Sequence, residues 1–169
     1  KTYTRDAGLS AIREAIERRG YHAWAEADPI IPNVYIVHHK PINNPLVSIL
    51  IPTRDMADLL DQCLTSVFEK TTYRNFEVII IDNGSAKTDT FEVFDKWSRL
   101  EADRFKVLRL DIPFNYSKLN NEAAKMANGE LILLLNNDIE VITPEWLEEM
   151  AGQAVRKEIG AVSALLLYP

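Results

Sequence analysis

Asp138 is the residue best placed to do chemistry in this 169-residue chain. It ends the run Leu131-Ile132-Leu133-Leu134-Leu135-Asn136-Asn137-Asp138, a carboxylate just past an apolar strand-like stretch. Three other apolar runs also give way to polar clusters: Pro52-Thr53-Arg54-Asp55, Asp82-Asn83-Gly84-Ser85, and Asp111 followed by Phe114-Asn115-Tyr116-Ser117-Lys118. Any one of these is ordinary loop chemistry, since Asp-Asn-Gly-Ser makes turns and Asn115 or Ser117 can cap a helix. Four such clusters, each following a strand, are better explained by a ligand site. Asp138 is a hard oxygen donor suited to a divalent cation that keeps its waters and takes its other oxygens from a substrate diphosphate. Asp82 can accept hydrogen bonds from a base or a ribose. A nucleoside diphosphate bound through Mn2+ or Mg2+ fits these residues.

Other chemistries lack their residues. No G-x-G-x-x-G follows the first strand of the series, and there is no G-x-x-x-x-G-K-[ST]. No histidine lies beyond His39, which removes a Ser-His-Asp arrangement from the region of the clusters. His38 and His39 adjoin on a strand-like stretch, so they point to opposite faces and are expected to be solvated rather than to share a metal. Cys63, the single cysteine, sits in an apolar helical pattern and is expected in the core.

The elements that must position the clusters can be read from periodicity. Strands are expected over 47–51, 78–81, 107–110, 131–135 and 161–167, and helices over 56–70, 88–100 and 117–127. A last helix is expected to have Thr143 as N-cap and Pro144 at its first position. Leu59, Leu60, Cys63, Leu64, Val67 and Phe68 are assigned to the inner face of the 56–70 helix, and Trp146, Leu147, Met150 and Ala154 to that of the last one. Strands apolar at nearly every position are buried on both faces, which occurs in parallel sheets flanked by helices. The alternation predicts an α/β, Rossmann-like, doubly wound, mostly parallel sheet. In such sheets ligands bind beyond the carboxyl ends of the strands, where the four clusters fall. Ahead of this region, residues 7–19 predict a helix stopped by Gly20. A proline-containing linker with one short edge strand around Val34–Val37 follows. The expected division is 1–44 as helix and linker and 45–169 as the nucleotide-binding part.

Composition narrows the partners. With 47% hydrophobic and 26% charged residues the chain is globular rather than disordered. A net charge of −6 argues against nucleic acid, which needs clustered Lys and Arg. No run approaches the roughly 20 apolar residues of a membrane span. A single cysteine fits a reducing, cytoplasmic setting. The chain starts at Lys1 and stops after an apolar stretch, which reads as a piece of a longer protein.

The ordered set of motifs resembles family 2 glycosyltransferases. Its members are Val-Ser-Ile-Leu-Ile-Pro-Thr-Arg at 47–54, Glu-Val-Ile-Ile-Ile-Asp-Asn-Gly-Ser at 77–85, Phe-Asn-Tyr-Ser-Lys-Leu-Asn-Asn at 114–121 and Gly-Glu-Leu-Ile-Leu-Leu-Leu-Asn-Asn-Asp at 129–138. The likeness is to the bacterial branch that builds O-antigen, rhamnan and similar surface polysaccharides. It implies a glycosyltransferase A-type fold, incomplete at its C-terminus, and inverting transfer from a nucleoside-diphosphate sugar to a glycan or lipid-linked acceptor. It further implies that Thr53 and Asp82 contact base and ribose and that Pro52, Asp55, Lys118, Asn136 and Asn137 complete the nucleotide-sugar site. Asp138 binds the metal, and the catalytic base lies beyond Pro169. A cytoplasmic location at the inner membrane, with peripheral association through a longer protein, goes with that role. Asn136 replaces the first Asp of the D-x-D pattern, Asn83 the second Asp of Asp-Asp-Gly-Ser, and Asn120 the basic residue of the third motif, with Lys118 as its substitute. The alternatives are a non-catalytic nucleotide-sugar-binding or interaction module and, more weakly, a nucleotidyltransferase.

Overall fold

Four parallel strands in the order β5-β4-β3-β6 form the sheet that carries the motifs. They are β3 (Val47–Thr53), β4 (Phe76–Asp82), β5 (Phe105–Arg109) and β6 (Leu131–Leu134), joined by helices α2 (Ala57–Lys70), α3 (Thr88–Leu100) and α4 (Tyr116–Ala124). The structure, a computed structural model, describes residues 2–167, with side chains from residue 4 onward. Two units divide the chain: Asn44–Leu147, and Lys1–Asn43 together with Glu148–Pro169. The residues from Glu148 onward thus group with the N-terminal segment.

In the larger unit the two central strands, β3 and β4, are almost entirely buried, as their continuous apolar runs require. Alternation sends Leu50, Ile79 and Ile81 to one face, against Leu119 and Ala123 of α4. The opposite face carries Phe76, which meets Phe68 of α2 at a ring separation of 5.5 Å, and Phe68 stacks on Trp97 of α3 at 5.0 Å. The helices therefore cover both faces, and the doubly wound reading holds. The chain steps from β3 to β4 to β5, then returns through α4 to β6 on the far side of β3. The direction of winding reverses between β3 and β6, the place where open α/β sheets bind ligands.

Several elements depart from the sequence reading. Edge strand β6, which among the described residues pairs with β3 alone, alternates between half-buried and exposed residues, leaving Ile132 and Leu134 about half exposed because nothing packs over that face. Residues 161–167 form no strand: they are irregular, and Leu165, Leu166 and Leu167 are exposed. Apolar character alone makes no strand without a ladder partner. Leu59 is exposed rather than on the inner face of α2. Helix α4 ends at Ala124, its last turns tightening through Met126 N–H to Ala123 and Ala127 N–H to Ala124. Helix α5 (Trp146–Ala154) starts later than Thr143 and Pro144, because the Pro144 carbonyl is taken by the N–H and hydroxyl of Thr72.

The smaller unit holds helix α1 (Thr2–Arg18) and an antiparallel hairpin of β1 (Ala23–Ala27) and β2 (Tyr35–His39). Helix α1 begins earlier than residue 7. Its end is the expected glycine stop: Gly20 has φ +67°, its N–H bonds Glu17 and the Tyr21 N–H bonds Ile16. His38 and His39 do face opposite ways on β2, but they are not solvated. His38 stacks on Trp24 and its Nδ1 lies 2.6 Å from a Glu149 oxygen, while His39 is buried. Burial, with Arg156 nearby, lowers the pKa of the His39 imidazole.

Candidate functional site

The carboxyl ends of β3, β4 and β5 lie in one register: Thr53 pairs with Asp82, and Asp82 with Arg109. Paired residues of parallel strands share a face, so a hydroxyl, a carboxylate and a guanidinium stand side by side. From β6's side, Asn137 Nδ2 donates to Thr53 Oγ1 at 3.0 Å, which closes the reversal point between β3 and β6 with a polar contact. The Asn83 N–H donates to the Thr53 carbonyl at 2.9 Å. Thr53, Asp82 and Asn137 are therefore brought together.

Each loop is built to hold these groups. Asp82 is buried, with Oδ1 accepting from the Ser85 N–H and Oδ2 from Arg109 Nη1, both at 2.8 Å. The turn between Asp82 and Ser85 needs Gly84, whose φ is +78° and against which Asp111 packs; a Cβ there would sit 2.6 Å from an Asp111 oxygen. Asn83 Nδ2 donates to the carbonyls of both Leu110 and Ile112, a task a carboxylate could not perform, which explains Asn rather than Asp at this position. Asp55, in left-handed conformation, receives the N–H groups of Lys87 and Ala86 on Oδ1, and these bonds lower its pKa. Its own N–H donates to Ser85 Oγ. Asp55 thus ties the β3 loop to the start of α3. Pro52 is half-buried on β3 beside Ile81.

The loop after β6 is pinned to α2. The Cys63 thiol meets the Asn136 carbonyl at 3.7 Å, Ser66 Oγ accepts the Val141 N–H, and Lys70 Nζ binds Glu140 at 2.6 Å. Cys63 is a core residue, as the sequence suggested, and burial raises its pKa to about 12. These ties leave Asn136 and Asp138 exposed, with no hydrogen bond or ion pair on the Asp138 carboxylate among the described residues. Lys118 is exposed in the first turn of α4, where its N–H is capped by Asn115 Oδ1. Among the described residues no hydrogen bond or ion pair joins the Lys118 ammonium or the Asp138 carboxylate to Thr53, Asp82 or Asn137.

The donor set suits a hard cation that needs few protein ligands. Asp138 offers an open carboxylate, and Asn137, with Nδ2 committed to Thr53, keeps Oδ1 as an acceptor. No three His, Cys, Asp or Glu side chains cluster to hold a metal among the described residues, so an ion here would rely on water and substrate oxygens. Sequence reasoning missed Arg109. A lone arginine ending a strand is no motif, and its partner across the sheet emerges only with the register.

The family description "Glycosyl transferase family 2" matches residues 48–168, which covers every loop described above. The chain belongs to glycosyl transferase family 2. It is 42% identical over 163 residues to the O-antigen biosynthesis protein RfbC of Myxococcus xanthus, covering 96% of this chain and 12% of that protein. The chain thus spans a small part of that relative's length. Among solved structures, it resembles the mannosyltransferase PcManGT from Pyrobaculum calidifontis, in complex with GDP-Man and Mn2+. That likeness has a TM-score of 0.68 at 18% identity, covering 97% of this chain and 45% of the other. It also resembles S. aureus TarS 1-349 in complex with UDP-GlcNAc, with a TM-score of 0.53 at 26% identity, covering 64% of this chain and 30% of the other. The fold is that of the glycosyltransferase A-type enzymes. No described helix is long and apolar enough to cross a membrane.

Proposed function

We propose that this family 2 domain binds a nucleoside-diphosphate sugar at the reversal point between β3 and β6. Its sugar is transferred, with inversion, to a glycan or lipid-linked acceptor hydroxyl during cell-surface polysaccharide synthesis on the cytoplasmic side of the membrane. The observation that carries this reading is the Thr53–Asn137 contact beside buried Asp82, a polar group assembled from three strand ends in a fold whose ligands bind there.

Asp82 and Thr53 would receive the nucleoside, with Pro52 and Asp55 shaping the wall behind it. Lys118 supplies positive charge for the diphosphate, and Asn136 and Asn137 supply amide groups toward the sugar and phosphates. Asp138 would hold Mn2+ or Mg2+, which when bound neutralises charge on the departing diphosphate. Exposed carboxylates close to the diphosphate would otherwise repel it, so Asp138 is expected to favour the nucleotide only with a cation present. RfbC is named for O-antigen biosynthesis, and the acceptor class proposed here follows that likeness.

The test is calorimetric titration of the chain with UDP, GDP, dTDP and CDP, each with and without Mn2+. Saturable one-to-one binding of at least one nucleotide, strengthened by the cation, is the expected outcome. Failure of all four at millimolar concentration would reject the reading.

A further inference from the structure

The two buried carboxylates of the sheet are satisfied very differently. Glu77, near the amino end of β4, accepts four hydrogen bonds: from Ser48 Oγ, the Asn128 N–H, Asn128 Nδ2 and Lys106 Nζ. A carboxylate has about four acceptor positions, so Glu77 is filled. Asp82, at the carboxyl end of the same strand, accepts two among the described residues, from the Ser85 N–H and Arg109 Nη1, though its side chain is 2% exposed. About half of its acceptor capacity is open.

We propose that Arg109 is a positioning residue for donor binding, holding the Asp82 carboxylate buried and oriented with its open lone pairs free for N–H or O–H groups of a nucleoside. The inference rests on the nucleotide reading of the site. Burying a carboxylate without compensation is costly, and a neutral partner would use up lone pairs without supplying charge. Arg109 supplies a full charge through one bond to Asp82. Its Nη2 donates to the Ser85 carbonyl at 3.2 Å, so a single guanidinium grips both the carboxylate and the turn that the carboxylate caps. A planar fork can do this; an ammonium, which is a point charge, can do only part of it. The guanidinium also lies over the Phe91 ring, 5.7 Å from its centroid, which fixes it from the side of α3. The row of Thr53, Asp82 and Arg109 puts this device in line with the group that meets Asn137.

The experiment is a mutant cycle read by calorimetry. Wild type, Arg109→Ala, Arg109→Lys, Asp82→Asn and the Asp82→Asn/Arg109→Ala double variant are titrated with whichever of UDP, GDP, dTDP and CDP wild type binds, in Mn2+. Inorganic pyrophosphate with Mn2+ serves as the probe without a nucleoside, and thermal melting reports the fold. Arg109→Ala should weaken nucleotide binding by roughly tenfold or more, as loss of a charged hydrogen-bonded partner does. Arg109→Lys should recover part of that loss. The double variant should bind no more weakly than Asp82→Asn alone, since Arg109 acts through Asp82. Pyrophosphate affinity should not change. Wild-type nucleotide affinity in Arg109→Ala, losses that multiply in the double variant, or an equal loss for pyrophosphate would each overturn this inference while leaving the nucleotide site standing. A wild-type protein that binds none of the nucleotides overturns both.

Discussion

Replacing Glu77 by glutamine should remove a pH-dependent part of the stability of this domain. Burial alone would raise the pKa of this carboxyl. The Lys106 ammonium, the Asn128 N–H, the Ser48 hydroxyl and the Asn128 side-chain amide together overcome that and hold it at about 2, below its ordinary 4.5. A folded value below the unfolded one favours the folded state when the group is ionised. The contribution is therefore complete above about pH 4.5 and is lost as the pH falls from there toward 2. At about 1.4 kcal/mol per pH unit the whole effect is about 3 kcal/mol. Glutamine keeps an acceptor for Ser48 or Asn128 but turns an N–H toward Lys106, so Glu77→Gln should cost about 2–3 kcal/mol at pH 7. Urea unfolding of both proteins at pH 7, 5, 4 and 3 reads this directly, with other titrating groups common to both cancelling in the difference. The gap should stay constant from pH 7 to 5 and narrow by about 2 kcal/mol by pH 3. A gap that holds constant down to pH 3 would refute the assignment of the depressed pKa to this network.

Other consequences are equally open to measurement. Gly84→Ala should lower the melting temperature, because φ +78° and the Asp111 oxygen both oppose a Cβ; adding Asp111→Ala should relieve only the contact, and full recovery would show that the backbone conformation is not strained. Gly129→Ala should cost about 1–3 kcal/mol, since its Cβ would come within 2.6 Å of the Leu46 carbonyl, and unchanged denaturant unfolding would contradict the close approach ahead of β6. Asp138→Asn should abolish the Mn2+-dependent part of nucleotide affinity without shifting the melting temperature of the free protein, as expected of an exposed group. Cys63, buried and with its pKa at about 12, should resist alkylation in the native state at pH 8 and react on unfolding; rapid native modification would mean the loop after β6 opens.

Much of the fold was legible because its signals are local. Helix α3 spans Thr88–Leu100 as its periodicity indicated, and the continuous apolar runs of β3 and β4 declared a parallel sheet. The misses share a cause, which is dependence on partners far along the chain. Strand β1, Ala-Trp-Ala-Glu-Ala, is weakly apolar and forms because β2 pairs with it, a relation invisible in its own residues. The stretch 161–167 has strand composition but no ladder. The same holds for the site. Its loops were recognisable as motifs, and Thr53, Asp82 and Asn137 do meet. Arg109 and the Lys106–Glu77–Asn128 network depend on pairings 27 to 51 residues apart that no spacing rule announces.

Binding of a nucleoside diphosphate at the reversal point between β3 and β6 is open to direct observation. Backbone amide NMR of the labelled chain, titrated with the nucleotide it binds best and Mg2+, locates the ligand directly. Substituting Mn2+ then broadens the amides nearest the cation. The expected result is that shifts concentrate at residues 53–55, 82–85, 117–119 and 136–138, with broadening centred on Asp138. Saturable shifts confined to other surfaces, or broadening centred away from Asp138, would contradict the claim.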